Sequence, residues 1–142
     1  MLGGPYPLSA TLAESGSQQF GKYVLLSKIA AGGMAATYRA KMTGAAGVTK
    51  PCVIKQILPH FADDQDFVEM FISEARVAMS LTHGNIAQLF DFGEVDGQYF
   101  IALEFVHGQP LSKVLPRGAK SRGGFFPVPL QLHVIRKVCE GL

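Results

Sequence analysis

The sequence predicts an α+β fold: a five-stranded antiparallel sheet with one inserted helix, followed by the first helices of an incomplete helical portion. Three observations predict it. Short runs rich in β-branched and aromatic residues are punctuated by Gly, Pro and Asp-Gly turn signals. One stretch with 3.6-residue apolar spacing, Phe67 to Leu81, interrupts those runs, and a second amphipathic stretch begins at Pro129.

The chain has 142 residues, 48% hydrophobic and 17% charged, enough for one domain with a core. A formal charge of +2, with Lys and Arg scattered, is too mild for a nucleic-acid or membrane-surface partner. Cys52 and Cys139 lie far apart within apolar runs, which points to buried reduced thiols and a cytoplasmic setting. Residues 1–19 are rich in Gly, Pro, Ser and Thr and lack the pattern of a signal peptide, so a flexible leader is expected. No apolar run reaches about 18 residues, so no membrane segment is expected within these residues.

The elements follow in order. Tyr23 to Ile29 reads as a strand, the glycine-containing segment after it as a flexible hairpin tip, and Thr37 to Ala40 as the returning strand. Cys52 to Leu58 is a third strand, apolar enough to be covered on both faces, and Pro59 ends it. Asp66 with Glu69 suggests a capping box for a helix whose apolar positions are Phe67, Met70, Phe71, Ala75, Ala78 and Leu81. Ala87 to Val95 and Gln98 to Phe105 form a hairpin closed by Asp96-Gly97. Gly108 and Pro110 mark a hinge, a short helix starts at Leu111, and Pro116 to Gly124 is an exposed loop. The last helix carries Leu132, Ile135, Val138, Cys139 and Leu142 on one stripe that needs a partner, so the chain reads as a piece of something larger.

Glu74 falls four residues after Met70 and four before Ala78, in the middle of the predicted stripe. A buried carboxylate costs several kcal/mol, roughly, unless paired. Two readings stand: Glu74 sits at the stripe's edge and reaches water, or it pairs with a cation. Lys55, closing the run Cys52-Val53-Ile54, is the obvious partner, although a lysine at a strand end is ordinarily solvated.

Taken together, these residues resemble the amino-terminal lobe of a protein kinase, closest to the bacterial serine/threonine kinases, from about Phe20 to Leu142. Ile29-Ala30-Ala31-Gly32-Gly33-Met34-Ala35-Ala36-Thr37 aligns with the phosphate loop, Cys52-Val53-Ile54-Lys55 with the lysine strand, and Glu74 with the helix glutamate. His83-Gly84-Asn85-Ile86 is similar to the family's His-Pro-Asn-Ile turn, and Leu103-Glu104-Phe105-Val106 to its gatekeeper and hinge. The resemblance implies a lobe and hinge at 20–106 and the start of a helical lobe at 107–142. It implies ATP held by Ile29 to Ala35, Thr37, Val53, Lys55 and Leu103, with adenine on the main chain of Glu104 and Val106. In that family the lysine holds the α- and β-phosphates and the glutamate orients it. Mg2+ would enter through ligands this sequence does not contain, the substrate would be a protein, and the role would be signal transduction by phosphorylation.

The departures carry weight as well. Ala30 and Ala35 stand where the family has its first and third loop glycines, and Thr37 where it has valine. Each alanine would cost roughly 1 kcal/mol if the loop needs positive φ, so weakened nucleotide affinity is expected. Asp91-Phe92-Gly93 spells the metal-binding triplet but lies before the hinge, so it reads as strand and no metal is assigned to it. His60, His83, His107 and His133 lack ligand spacing and read as turn and surface residues. The first functional expectation is the ATP-binding lobe of a serine/threonine kinase, inactive as these 142 residues alone. The alternative is a pseudokinase-like or truncated non-catalytic module that binds nucleotide or a partner.

Overall fold

A computed structural model of the chain describes residues 16–114 and 127–142. The predicted leader up to residue 15 and the predicted exposed loop lie outside the described residues. The sheet is antiparallel and contains β1 (Gln18–Phe20), β2 (Tyr23–Ala31), β3 (Ala35–Thr43), β4 (Thr49–Ile57), β5 (Leu89–Val95) and β6 (Gln98–Glu104). Their order across the sheet is β1-β2-β3-β4-β6-β5. The five predicted strands are all present, with ends moved by a few residues; β1 is a sixth, which corrects the count. It exists because Gly21, at φ +53°, folds the chain back so that Gln18 to Phe20 pair with Tyr23 to Leu25. Three residues are too few to show any periodicity, so the leader's last two, Gln18 and Gln19, are strand.

The sheet curls until its two edges meet. Phe20 and Tyr23 both pack edge-on against Phe100, with ring centroids 5.4 and 5.5 Å apart. A Cβ on Gly21 would stand 3.0 Å from Val95 Cγ2, so the β1–β2 turn lies directly on the β5–β6 hairpin. The Tyr23 hydroxyl donates to Asp91 of β5, and Lys22 Nζ lies 2.9 Å from the same carboxylate oxygen. Burial first, and the hydrogen bond to Asp91 second, push the Tyr23 phenol well above the usual tyrosine range.

Each face of the sheet has its own cluster. On one side Phe20, Tyr23, Leu25, Ala40, Cys52, Ile54, Phe100 and Ala102 pack together. On the other, Ile57, Leu89 and Ile101 receive Val68, Phe71 and Ala75 from α2 (Gln65–Ser80), which follows the short α1 (Pro59–Ala62). β4 is therefore not covered throughout on both faces as predicted. Its Cys52 and Ile54 side is sealed, but Val53 and Lys55 on the opposite side stay only half-buried, because α2 crosses that face at its Ile57 end.

Two details of α2 differ from expectation. Its cap is Asp64, whose Oδ1 accepts from the Phe67 N–H at 3.2 Å, and the Asp66–Glu69 box does not form. Asp64 is the last residue with extended torsions, so only its side chain can reach back over the first turn. The buried stripe is also turned. Val68, Phe71 and Ala75 are buried, whereas Met70 and Leu81 are exposed, which moves the stripe's centre roughly a quarter turn from Glu74.

The short helical turn expected from Leu111 is present at 111–114. α3 (Val128–Gly141) has no buried residue, and its predicted stripe is open. Cys139 is therefore exposed, against the expectation of a buried thiol, because nothing among the described residues covers that side; Cys52 is buried as expected. No helix of the described residues is long and apolar enough to cross a membrane.

Tyr23→Phe is expected to lower stability by about 1 kcal/mol at neutral pH, read by urea denaturation, through loss of the bond to Asp91. The pH dependence has a defined sign. Below about pH 10 the phenol is neutral in both states; above it the unfolded chain ionises first, so stability falls as pH rises. The gap between wild type and Tyr23→Phe should therefore shrink above about pH 10, and a constant gap would contradict the buried neutral phenol.

Candidate functional site

Strand pairing decides which side chains share the sheet's open face. In β4, Lys55 is paired with Thr37 of β3 and Ile101 of β6; Val53 is paired with Arg39 and Leu103. Residues directly opposite one another point to the same side, as do residues two apart. Thr37, Val53, Lys55 and Leu103, all predicted site residues, therefore converge on one face, the face that α2 covers only in part.

Lys55 Nζ lies 4.0 Å from Glu74 Oε1, at the outer limit of an ion pair, and 5.9 Å from the centre of the Phe71 ring. The Glu74 side chain is 65% exposed. Both readings of Glu74 thus hold in part: it sits at the stripe's edge in water, and it still faces Lys55. With this exposure the pair contributes at most about 1 kcal/mol to stability. Beside it, Met70, Ser73, Glu74, Val77, Ala78 and Leu81 line an apolar groove of about 540 Å³ along α2.

The hairpin tip is open. The Gly32 N–H donates to Ala35 O at 2.9 Å, and the Leu58 N–H donates to Met34 O at 3.0 Å, tying the tip to the end of β4. Ile29 and Met34 are exposed. Ala30 and Ala31 pair with Thr37 and Ala36, and Ala35 pairs with Ile57. Ala46 and Asp96 are the non-glycine residues at positive φ among those described, so Ala30 and Ala35 carry no left-handed strain. The strain cost expected of them is absent, because both lie in paired strand.

At the other end of the site, the Glu104 N–H donates to Gln88 O at 2.9 Å where β6 ends. Val106 follows, exposed. The turn His83 to Ile86 anchors α3: Asn85 Nδ2 donates to Lys137 O at 2.8 Å and to Glu140 Oε2 at 3.3 Å. Lys137, 2.8 Å from the same oxygen, holds the Glu140 carboxyl below the usual range.

Asp91 lies in β5, occupied by Tyr23 and Lys22. This is the structural role expected of the misplaced triplet. No cluster of three or more metal-ligating side chains occurs among the described residues. Sequence reasoning missed the Tyr23–Asp91 contact and the stacking of Arg39 on Phe105 at 5.0 Å. Strand parity from Val53 would have placed Arg39 on the open face.

The open sheet face with its lysine, the helix glutamate and the hinge define a protein kinase lobe. The chain belongs to the protein tyrosine and serine/threonine kinase family, whose model matches residues 23–142. It is 42% identical over 125 residues to the tyrosine-protein kinase MasK of Myxococcus xanthus, covering 88% of this chain and 19% of that protein. It is 35% identical over 100 residues to the serine/threonine-protein kinase PrkC of Bacillus subtilis, covering 70% of this chain and 15% of that one. Among solved structures it is similar to the PknI kinase domain of Mycobacterium tuberculosis, with a TM-score of 0.68 at 26% identity, covering 92% of this chain and 51% of that one. The chain thus spans under a fifth of these curated relatives and about half of that kinase domain.

Ala30→Gly is expected to destabilise the chain by about 0.5–1 kcal/mol, as glycine does in a paired strand. Thermal or urea denaturation checks this, and a gain in stability would show that the alanine is strained after all.

Proposed function

We propose that this chain is the ATP-binding lobe of a serine/threonine protein kinase that transfers phosphoryl groups to protein hydroxyls. The carrying observation is Lys55 on the open sheet face, 4.0 Å from Glu74, with Thr37, Val53 and Leu103 on the same side. The residues fit a nucleotide: half-buried apolar groups for a base, a cation one rung along for phosphate, and a tip that closes nothing off. In this reading Lys55 binds the α- and β-phosphates, Glu74 orients Lys55, Val53 and Leu103 pack on adenine, and the main chain of Glu104 and Val106 hydrogen-bonds it. The segment from Ile29 to Ala35 covers the phosphates. ATP supplies the transferred phosphoryl group, and Mg2+ would be held by residues other than these. A cytoplasmic location belongs to the same reading.

Serine/threonine specificity is supported by relatives named serine/threonine kinases, such as PrkC and the PknD of Mycobacterium tuberculosis. MasK is named a tyrosine kinase, so the acceptor residue is a matter for assay. The second reading, a non-catalytic docking module, draws on Ala30 and Ala35 in the loop. Their place in paired strands at ordinary torsions weakens that ground.

In the full-length protein, Lys55→Met is expected to remove most phosphate incorporation, by about 100-fold or more if its phosphate contacts act mainly in the transition state. Melting temperature should move by no more than a few degrees. Peptides offering Ser, Thr or Tyr separately read the acceptor. Undiminished turnover in Lys55→Met would sink the assignment of Lys55, and phosphotyrosine as the main product would overturn the serine/threonine reading. The 142 residues alone are expected to bind ATP in a fluorescence titration without transferring phosphate, and incorporation above blank would contradict this.

A further inference from the structure

Past Glu104 the chain leaves the sheet. Side chains tie the departing segment back to it. The Arg39 guanidinium lies over the Phe105 ring at 5.0 Å, and the His107 ring meets Phe105 edge-on, with centroids 4.8 Å apart and planes at 86°. Arg39 stands opposite Val53 in β3, so this stack ties the hinge to the sheet register that also carries Thr37 and Lys55.

The position of Phe105 gives the contact a specific consequence. The Glu104 carbonyl belongs to the peptide before residue 105, and the Val106 N–H to the peptide after it. The two torsions of residue 105 therefore set how an acceptor and a donor are aimed relative to each other. A ring clamped by a guanidinium restrains those torsions. A planar guanidinium suits the task, since it stacks on an aromatic face as an ammonium does not.

We propose that Arg39 is a positioning residue for nucleotide binding: through its stack on Phe105 it fixes the mutual aim of the Glu104 carbonyl and the Val106 N–H at the adenine edge. This rests on the ATP-binding reading above. It makes a distinction that general stabilisation does not. Binding through the base should depend on Arg39, whereas binding through the phosphates, which belongs to Lys55, should not.

The test is calorimetric titration of the full-length protein with ATP, adenosine and inorganic tripolyphosphate, for wild type, Arg39→Lys, Arg39→Leu, Phe105→Leu and the double Leu variant. Arg39→Leu is expected to weaken ATP and adenosine alike by about three-fold, the size of an exposed cation–π contact, and to leave tripolyphosphate unchanged. Arg39→Lys should fall between, and the double variant should be no weaker than Phe105→Leu alone. Unchanged adenosine affinity in both Arg39→Leu and Phe105→Leu would overturn the assignment, as would equal weakening of tripolyphosphate or additive losses in the double variant. A wild type that binds neither ATP nor adenosine would instead overturn the ATP-binding reading, and this assignment with it.

Discussion

The arrangement depends on the alternation of β4. This strand is paired on both flanks, with β3 along its whole length and with β6 from Cys52 to Gln56. Cys52 and Ile54 are fully buried on one side, so Val53 and Lys55 must face the other. A slip of one residue would drive the Lys55 ammonium into the cluster around Phe100 and put Ile54 in its place. Burying that charge unpaired costs several kcal/mol, roughly, which makes the register nearly inviolable. Lys55 thus owes its position to the core behind it, and the neighbouring strands place Thr37, Ile101 and Leu103 beside it by the same parity.

The helix glutamate is fixed less tightly. α2 is seated by Val68, Phe71 and Ala75 against Ile57, Leu89 and Ile101, and these contacts set its rotation. Glu74 lies roughly a quarter turn from their centre and reaches Lys55 across partly open space. Fully burying even one such apolar side chain is worth about 1.5–3 kcal/mol, more than an ion pair with this exposure. The Lys55–Glu74 distance therefore reports where the core has placed α2; it does not hold the helix there. Whatever presses on the groove formed by Met70, Val77 and Leu81 acts on the helix face next to Glu74.

What could be read from the sequence follows the same division between local and distant causes. Asp96-Gly97 closes its hairpin with φ of 50° and 77°, and Pro59 ends β4, because each acts on its own backbone. The half-buried place of Lys55 follows from strand alternation, which is local too, but the helix period puts Glu74 in the middle of a stripe that is in fact turned away from it, so its pairing with Lys55 rests on the family resemblance. Periodicity gives the spacing of a stripe but not its phase, which the partner surface chooses; Val68 is buried and Met70 exposed for that reason alone. β1 is local too, but its three residues are too few to show a period; the Tyr23–Asp91 bond and the Arg39–Phe105 stack join residues far apart in the chain, and no window of sequence contains them.

The hairpin tip shows how position changes the meaning of a substitution. Ala30 and Ala35 stand where glycine was expected and fit, since the ladder there asks only for extended backbone. Gly32 and Gly33 form the unpaired tip. A Cβ on Gly32 would come no nearer than 3.8 Å to Ala35 O, and one on Gly33 would meet nothing within 4 Å. Neither is at positive φ. Internal packing and internal torsions therefore give no reason for glycine at these two positions. Their lack of side chains leaves the tip free and its backbone open to approach from outside, and the tip is tied by Met34 O to the end of the strand that carries Lys55. In the proposed ATP-binding reading, that open backbone and the cation on the adjoining strand are what would receive the phosphates.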